Sequence, residues 1–211
     1  MKRLVLIAAC AAACAAACAC SKPGAPPAAV ASAPPPATSA AAAASGSVAG
    51  SVHITGTAVV VLEPKSARAF APPAEKPVMD QAGLTFGPEL LLVRTGYPVE
   101  FRNSDDTLHN VRVSHEETHA SAFNVAIPTG ESYTYTFERD GFYRVGCDIH
   151  PAMAASVFAA SSPFTTLAAA DGSFTFAYVP PGAWTVTVYG DGRKLHQDVD
   201  VTGGVTHVAI E

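Results

Sequence analysis

Cys147-Asp148-Ile149-His150-Pro151-Ala152-Met153 carries a thiol, an imidazole and a thioether at C-x2-H-x2-M spacing. A soft thiolate, an imidazole and a thioether form the donor set that copper prefers. A trigonal site of two histidines and one cysteine, with a long axial Met, needs a second imidazole from elsewhere. His109, at the end of Asp105-Asp106-Thr107-Leu108-His109-Asn110, is the candidate. Zinc usually takes Cys, His and carboxylate but not Met, and ranks below copper. Taken singly, a buried Cys is a small hydrophobe and a Met is core. The common spacing is what carries the metal reading. Three donors on one short loop leave little room for relaxation, which suits one-electron chemistry.

A thiol needs a reason to persist. Four of the five cysteines, Cys10, Cys14, Cys18 and Cys20, fall within the first twenty residues. Lys2 and Arg3 precede a small, apolar run from Leu4 to Ala19, too short and alanine-rich for a transmembrane helix. Residues 1–20 therefore read as an export signal of the lipoprotein kind. Cys20 is the expected lipidated residue, because Ser21 and Lys22 end the apolar run; Cys18 is the alternative. Cys10 would leave too short an apolar run. Lipid chains would then hold the chain at a membrane, in the periplasm or at the cell surface. The exported chain keeps one cysteine, Cys147, with no disulfide partner.

Loss of Lys2 and Arg3 takes the net charge from -5 to -7. That balance argues against nucleic acid, which needs a basic face. Residues 21–46 are almost wholly Ala, Pro, Ser and Gly, too poor in bulky apolar side chains to offset chain ordering. They read as a tether. From Ser47 on, the pattern is β. Val99-Glu100-Phe101, Val111-Arg112-Val113 and Tyr133 to Phe137 alternate, as do Phe174-Thr175-Phe176 and Trp184 to Tyr189, between Gly and Pro turns. Short strands so punctuated predict an all-β sandwich or barrel.

Phe142 through Met153, with Phe101-Arg102-Asn103-Ser104-Asp105 and His109-Asn110-Val111 upstream, resembles the cupredoxins of the plastocyanin and amicyanin type. It is similar also to plastocyanin-like proteins that carry the label methylamine utilization. The resemblance implies a Greek-key cupredoxin β-sandwich over about residues 75–160. It implies one type 1 (blue) copper with His109 and His150 as equatorial ligands, Cys147 as thiolate and Met153 as weak axial ligand. Asn110 would tie the two ligand loops by hydrogen bonds, and the His150 edge would be the electron port. Residues 114–122 are more polar and histidine-rich than that resemblance leads one to expect.

His115-Glu116-Glu117-Thr118-His119 matches H-E-x-x-H, whose zinc chemistry needs both histidines on one face of a helix. The flanks read as strand and loop, so a chance match on a solvated loop is expected, with a weak auxiliary metal site as the alternative. Asp171-Gly172 and Pro180-Pro181-Gly182 set turns in a tail that resembles the carboxypeptidase regulatory-like, transthyretin-like β-sandwich module. The tail is too short to form a sandwich alone. We expect residues 47–70 and 163–211 to form that module together, with the copper domain inserted in it; the alternative is two consecutive domains, with 48–160 as a complete cupredoxin. The expected function is single-electron transfer outside the cytoplasm by Cu(I)/Cu(II) cycling, with a redox partner protein and no catalytic residues. The alternative is a copper-binding, storage or sensing lipoprotein.

Overall fold

A computed structural model describes residues 45–211. The expected signal peptide (1–20), with Cys18 and Cys20, lies outside the described residues, as does all but the end of the 21–46 tether. That tether stops slightly earlier than expected. Gly46 already pairs with Val179 and Gly204 in a sheet, so it belongs to the first strand.

Among the described residues every regular element is a strand. In chain order these are β1 (Gly46–Val52), β2 (Val59–Pro64), β3 (Val78–Ala82), β4 (Thr85–Gly87), β5 (Leu90–Arg94), β6 (Pro98–Asn103), β7 (His109–His115) and β8 (Ser121–Ile127). They continue with β9 (Ser132–Thr136), β10 (Gly141–Gly146), β11 (Ala154–Ala160), β12 (Thr165–Leu167), β13 (Ser173–Val179), β14 (Gly182–Gly190), β15 (Arg193–Val201) and β16 (Gly204–Ile210). None of them is a helix, and among the described residues no helix is long and apolar enough to cross a membrane.

The strands β3 to β11 make two sheets, ordered β4-β3-β6-β9 and β5-β11-β10-β7-β8. Their inward residues, among them Phe101, Val113, Phe123, Val145 and Val157, close one core with Phe137, which follows β9. The remaining strands, from both ends of the described chain, make two more sheets, β13-β1-β16 and β12-β2-β14-β15. Val52 thus pairs with Ile210 of the last strand, and β2 lies between β12 and β14. Their core centres on Trp184, wholly buried, whose indole N–H donates to the Pro180 carbonyl at 3.0 Å. The Asp171-Gly172 turn locks onto β1: Gly172 has φ +79°, and a Cβ there would sit 2.0 Å from the Val52 carbonyl oxygen. Only glycine fits.

The two pairs of sheets meet in a third apolar cluster. Val59 and Val61 from β2 pack with Phe158 and Ala160 from β11, flanked by Leu90, Leu92, Phe142 and Tyr189. Phe158 lies 4.7 Å from Phe142 and 4.9 Å from Tyr189, ring centre to ring centre. This junction explains a strand that the alternation rule passed over. In β11 (Ala-Ala-Ser-Val-Phe-Ala-Ala), Val157 and Ala159 face the first core while Phe158 and Ala160 face the junction. A strand buried on both faces shows no polar–apolar alternation. β3, β4, β8 and β12 were also unforeseen. β3 hides the polar Gln81 inside, and β4 and β12 have three residues each.

Phe158→Ala should lower folding stability by about 3–5 kcal/mol, the usual result of truncating a buried aromatic. Urea unfolding measures it, and a loss below about 1 kcal/mol would contradict the junction described here.

Candidate metal centre

Strand parity brings the donors together. Side chains alternate across a strand, so Tyr143 and Val145 on β10 point into the core with Cys147, the next residue of that parity. On β7, His109, Val111 and Val113 share the inward face. The two strands are antiparallel neighbours, with Val145 opposite Val113 and Gly146 opposite Arg112. Extending that register places Cys147 beside Val111, one alternation from His109. The thiol and the first imidazole therefore meet inside the same end of the sandwich, although 38 residues separate them.

His150 arrives from the loop. Cys147 Sγ is 3.9 Å from His109 Nδ1 and 3.9 Å from His150 Nδ1, and the two nitrogens are 3.0 Å apart. The three donor atoms lie within 4.8 Å of one another, and among the described residues no other group of three or more His, Cys, Asp or Glu does so. His109 is wholly buried and Cys147 nearly so; His150 is half-buried between exposed neighbours. The loop is closed by its own backbone. The Cys147 N–H donates to the Met153 carbonyl at 3.3 Å, and the Met153 N–H to the His150 carbonyl at 2.9 Å. Met153 is buried in the same core.

Hydrogen bonds orient each donor. His109 Nε2 is 2.9 Å from Asp105 Oδ2, a carboxylate that only accepts, so the ring proton is assigned to Nε2 and Nδ1 is left with its lone pair. Asp105 also accepts from the N–H groups of Gly83 (2.6 Å) and Leu84 (2.9 Å) in the β3–β4 turn. The Leu84 N–H above all, then the His109 ring and the Gly83 N–H, hold the Asp105 carboxyl below the ordinary carboxylate range. Buried Asn103 secures the loop before His109. Its amide donates to the Thr107 and Ile127 carbonyls, both at 2.8 Å, and its oxygen accepts the Asp105 N–H. Cys147 Sγ receives the His150 N–H at 3.4 Å. Asn110 reaches across from β7: its side-chain oxygen accepts the N–H of Asp148 at 2.7 Å and of Ile149 at 3.3 Å.

Two imidazole nitrogens 3.0 Å apart, with a sulfur beside them, form a group that could hold a metal ion. A soft, three-donor set of N, N and S fits copper, whose preferred trigonal arrangement it matches in kind. The structure thus gathers His109, Cys147 and His150, places Met153 at the end of the Cys147 loop and ties Asn110 of β7 to that loop by hydrogen bonds.

It does not gather the His115–His119 motif. His115 ends β7, Glu116 to Thr118 form a turn, and no helix carries the two histidines. The expectation of a wholly solvated loop is corrected at His115, which is buried against Tyr143 with ring centres 4.9 Å apart. Its Nε2 meets the Asp140 carbonyl at 3.2 Å and its Nδ1 accepts the Thr118 N–H at 3.2 Å, so both nitrogens are engaged. His119 is exposed, with a left-handed φ of 55°.

Sequence reasoning gave no role to Asp105, Asn103, Asp148, Arg112 or Asn124. Asp105 had one legible signal, a carboxylate four residues before an imidazole on a loop. The others depend on strand pairing.

Residues 74–159 match the family described as copper binding proteins, plastocyanin/azurin family. No curated protein matches the chain. Among solved structures, a reduced amicyanin variant is 24% identical with a TM-score of 0.38, over 48% of this chain and 98% of that one. The Cu(I) form of another amicyanin variant is 25% identical with a TM-score of 0.37, over the same shares. A copper-containing nitrite reductase from Thermus scotoductus is 27% identical with a TM-score of 0.38, over 46% of this chain and 25% of that one.

Replacing Asp105 by Asn should weaken copper affinity by about 10–100-fold, because the carboxylate that fixes the His109 ring is lost. Competition against a chelator of known affinity measures this. An unchanged affinity would show that the His109 ring does not depend on that carboxylate.

Proposed function

We propose that residues 74–159, which match the family described as copper binding proteins, plastocyanin/azurin family, form a copper-binding domain and that the protein is an electron carrier. His109, Cys147 and His150 would hold the metal, with Met153 as a weak fourth donor. Copper bound there supplies a one-electron couple. The observation that carries this reading is the convergence of one thiol and two imidazoles at the buried end of a sandwich.

The chain's own residues do the rest. Asp105 and Asn110 hold the donors in place in advance, which limits rearrangement between oxidation states. The core side chains around Cys147 exclude water. His150 is the one imidazole of the three-donor set that reaches toward solvent. Three large exposed apolar residues lie on the segments that hold the donors. Leu84 is 53% exposed, Leu108 48% and Ile149 46%. Each sits on a segment that holds a donor: the turn bound by Asp105, the residue before His109 and the residue before His150. Such a rim suits brief docking of a redox partner protein, because it loses little solvation on contact. The leader with Cys20 or Cys18 supports an exported, lipid-anchored protein in the periplasm or on the cell surface.

Adding Cu(II) to the purified protein should give an intense blue colour, and Cys147→Ser should abolish it. Reversible voltammetry of the blue form distinguishes a carrier from a store. A colourless complex, or a couple that does not cycle, would contradict the proposal.

A further inference from the structure

Asp148 follows Cys147 directly, and its carboxylate is shared among three partners. Oδ1 accepts from Arg112 Nε at 2.7 Å. Oδ2 accepts from Asn110 Nδ2 at 3.1 Å and from Asn124 Nδ2 at 3.0 Å. The Asn110 amide is therefore fixed at both ends, since its oxygen already takes the Asp148 and Ile149 N–H groups. Arg112 and Asp148 are about half exposed, at 51% and 48%. An exposed ion pair of this kind adds little to stability. Its placement matters more than its strength. Both side chains line a cleft of about 620 Å³ whose walls include Cys147 and Met153. One full negative charge and one full positive charge thus lie beside the sulfur donor.

Resting on the copper reading above, we propose that Asp148 and Arg112 form a charge pair that sets the reduction potential of the bound metal, and that Asp148 is the positioning residue for Asn110. Reduction of Cu(II) to Cu(I) adds one electron and no proton, and makes the centre more negative. A carboxylate nearby opposes that change and a guanidinium favours it. As a pair they nearly cancel. Removing either one exposes the other.

The test uses the full chain loaded with Cu(II), the parent and three variants: Asp148→Asn, Arg112→Gln and the double variant. An electrode supplies the electron, and the midpoint potential is read at low and high ionic strength. The potential should rise in Asp148→Asn, fall in Arg112→Gln and return near the parent value in the double variant. High salt should shrink both shifts. A merely structural pair would move both variants in the same direction, or neither, and that result overturns the proposal. Should Asp148→Asn fail to load copper, Arg112→Gln decides alone: a fall supports the proposal, and a rise or no change overturns it. A second readout needs no metal. Hydrogen exchange of the Ile149 amide should be faster in Asp148→Asn than in the parent; an equal rate overturns the positioning role. Failure of the parent chain to bind copper would instead remove the copper reading itself.

Discussion

The register between β7 and β10 is the constraint on which the site depends. Val145 stands opposite Val113, so two inward-facing positions at the same sheet end carry His109 and Cys147. A slip of one residue would turn every side chain of one strand to the other face. The thiol and the imidazole would then no longer meet. Burial of Val111, Val113, Tyr143 and Val145 in one core makes such a slip costly. Packing and donor geometry are thus fixed by the same pairing.

Hydrogen bonds then do what packing cannot. A loop that turns sharply from Cys147 to Met153 leaves backbone N–H groups without strand partners. Those of Asp148 and Ile149 find the Asn110 oxygen, that of His150 finds the Cys147 sulfur, and that of Met153 finds the His150 carbonyl. On the other side, Asn103 secures the loop leading to His109, and Asp105 joins that imidazole to the β3–β4 turn. Most of these groups are polar and at least partly buried, and leaving a buried one unpaired would be costly. The donor atoms are held by the protein before any metal is considered. The junction of β2 and β11 extends this rigidity beyond the sandwich of β3 to β11, since Phe158 faces Tyr189 across it while Val157 faces the core of that sandwich.

Much of this was legible in the sequence because the chemistry is local. Cys147, His150 and Met153 lie on one loop, and His109 ends a segment with clear alternation after it. The all-β class followed from period-two runs between Gly and Pro turns. What escaped was non-local or lacked a periodic signal. β11 is apolar on both faces and so shows no alternation. β3 carries Gln81 inward, against the usual rule. Asp105 and Asp148 read as ordinary acidic loop residues until the pairing of strands placed them against His109 and Asn110. His115 sits in a motif that suggested a helix or a solvated loop, yet it caps a strand with its ring buried on Tyr143.

The central claim is that one sulfur and two imidazole nitrogens from these two stretches bind a single copper ion. X-ray absorption at the copper edge on the loaded protein tests it most directly. The account predicts one sulfur and two imidazole nitrogens close to each copper, with one nitrogen lost in His109→Ala. Copper bound with no sulfur neighbour, or a spectrum indifferent to His109, would contradict it.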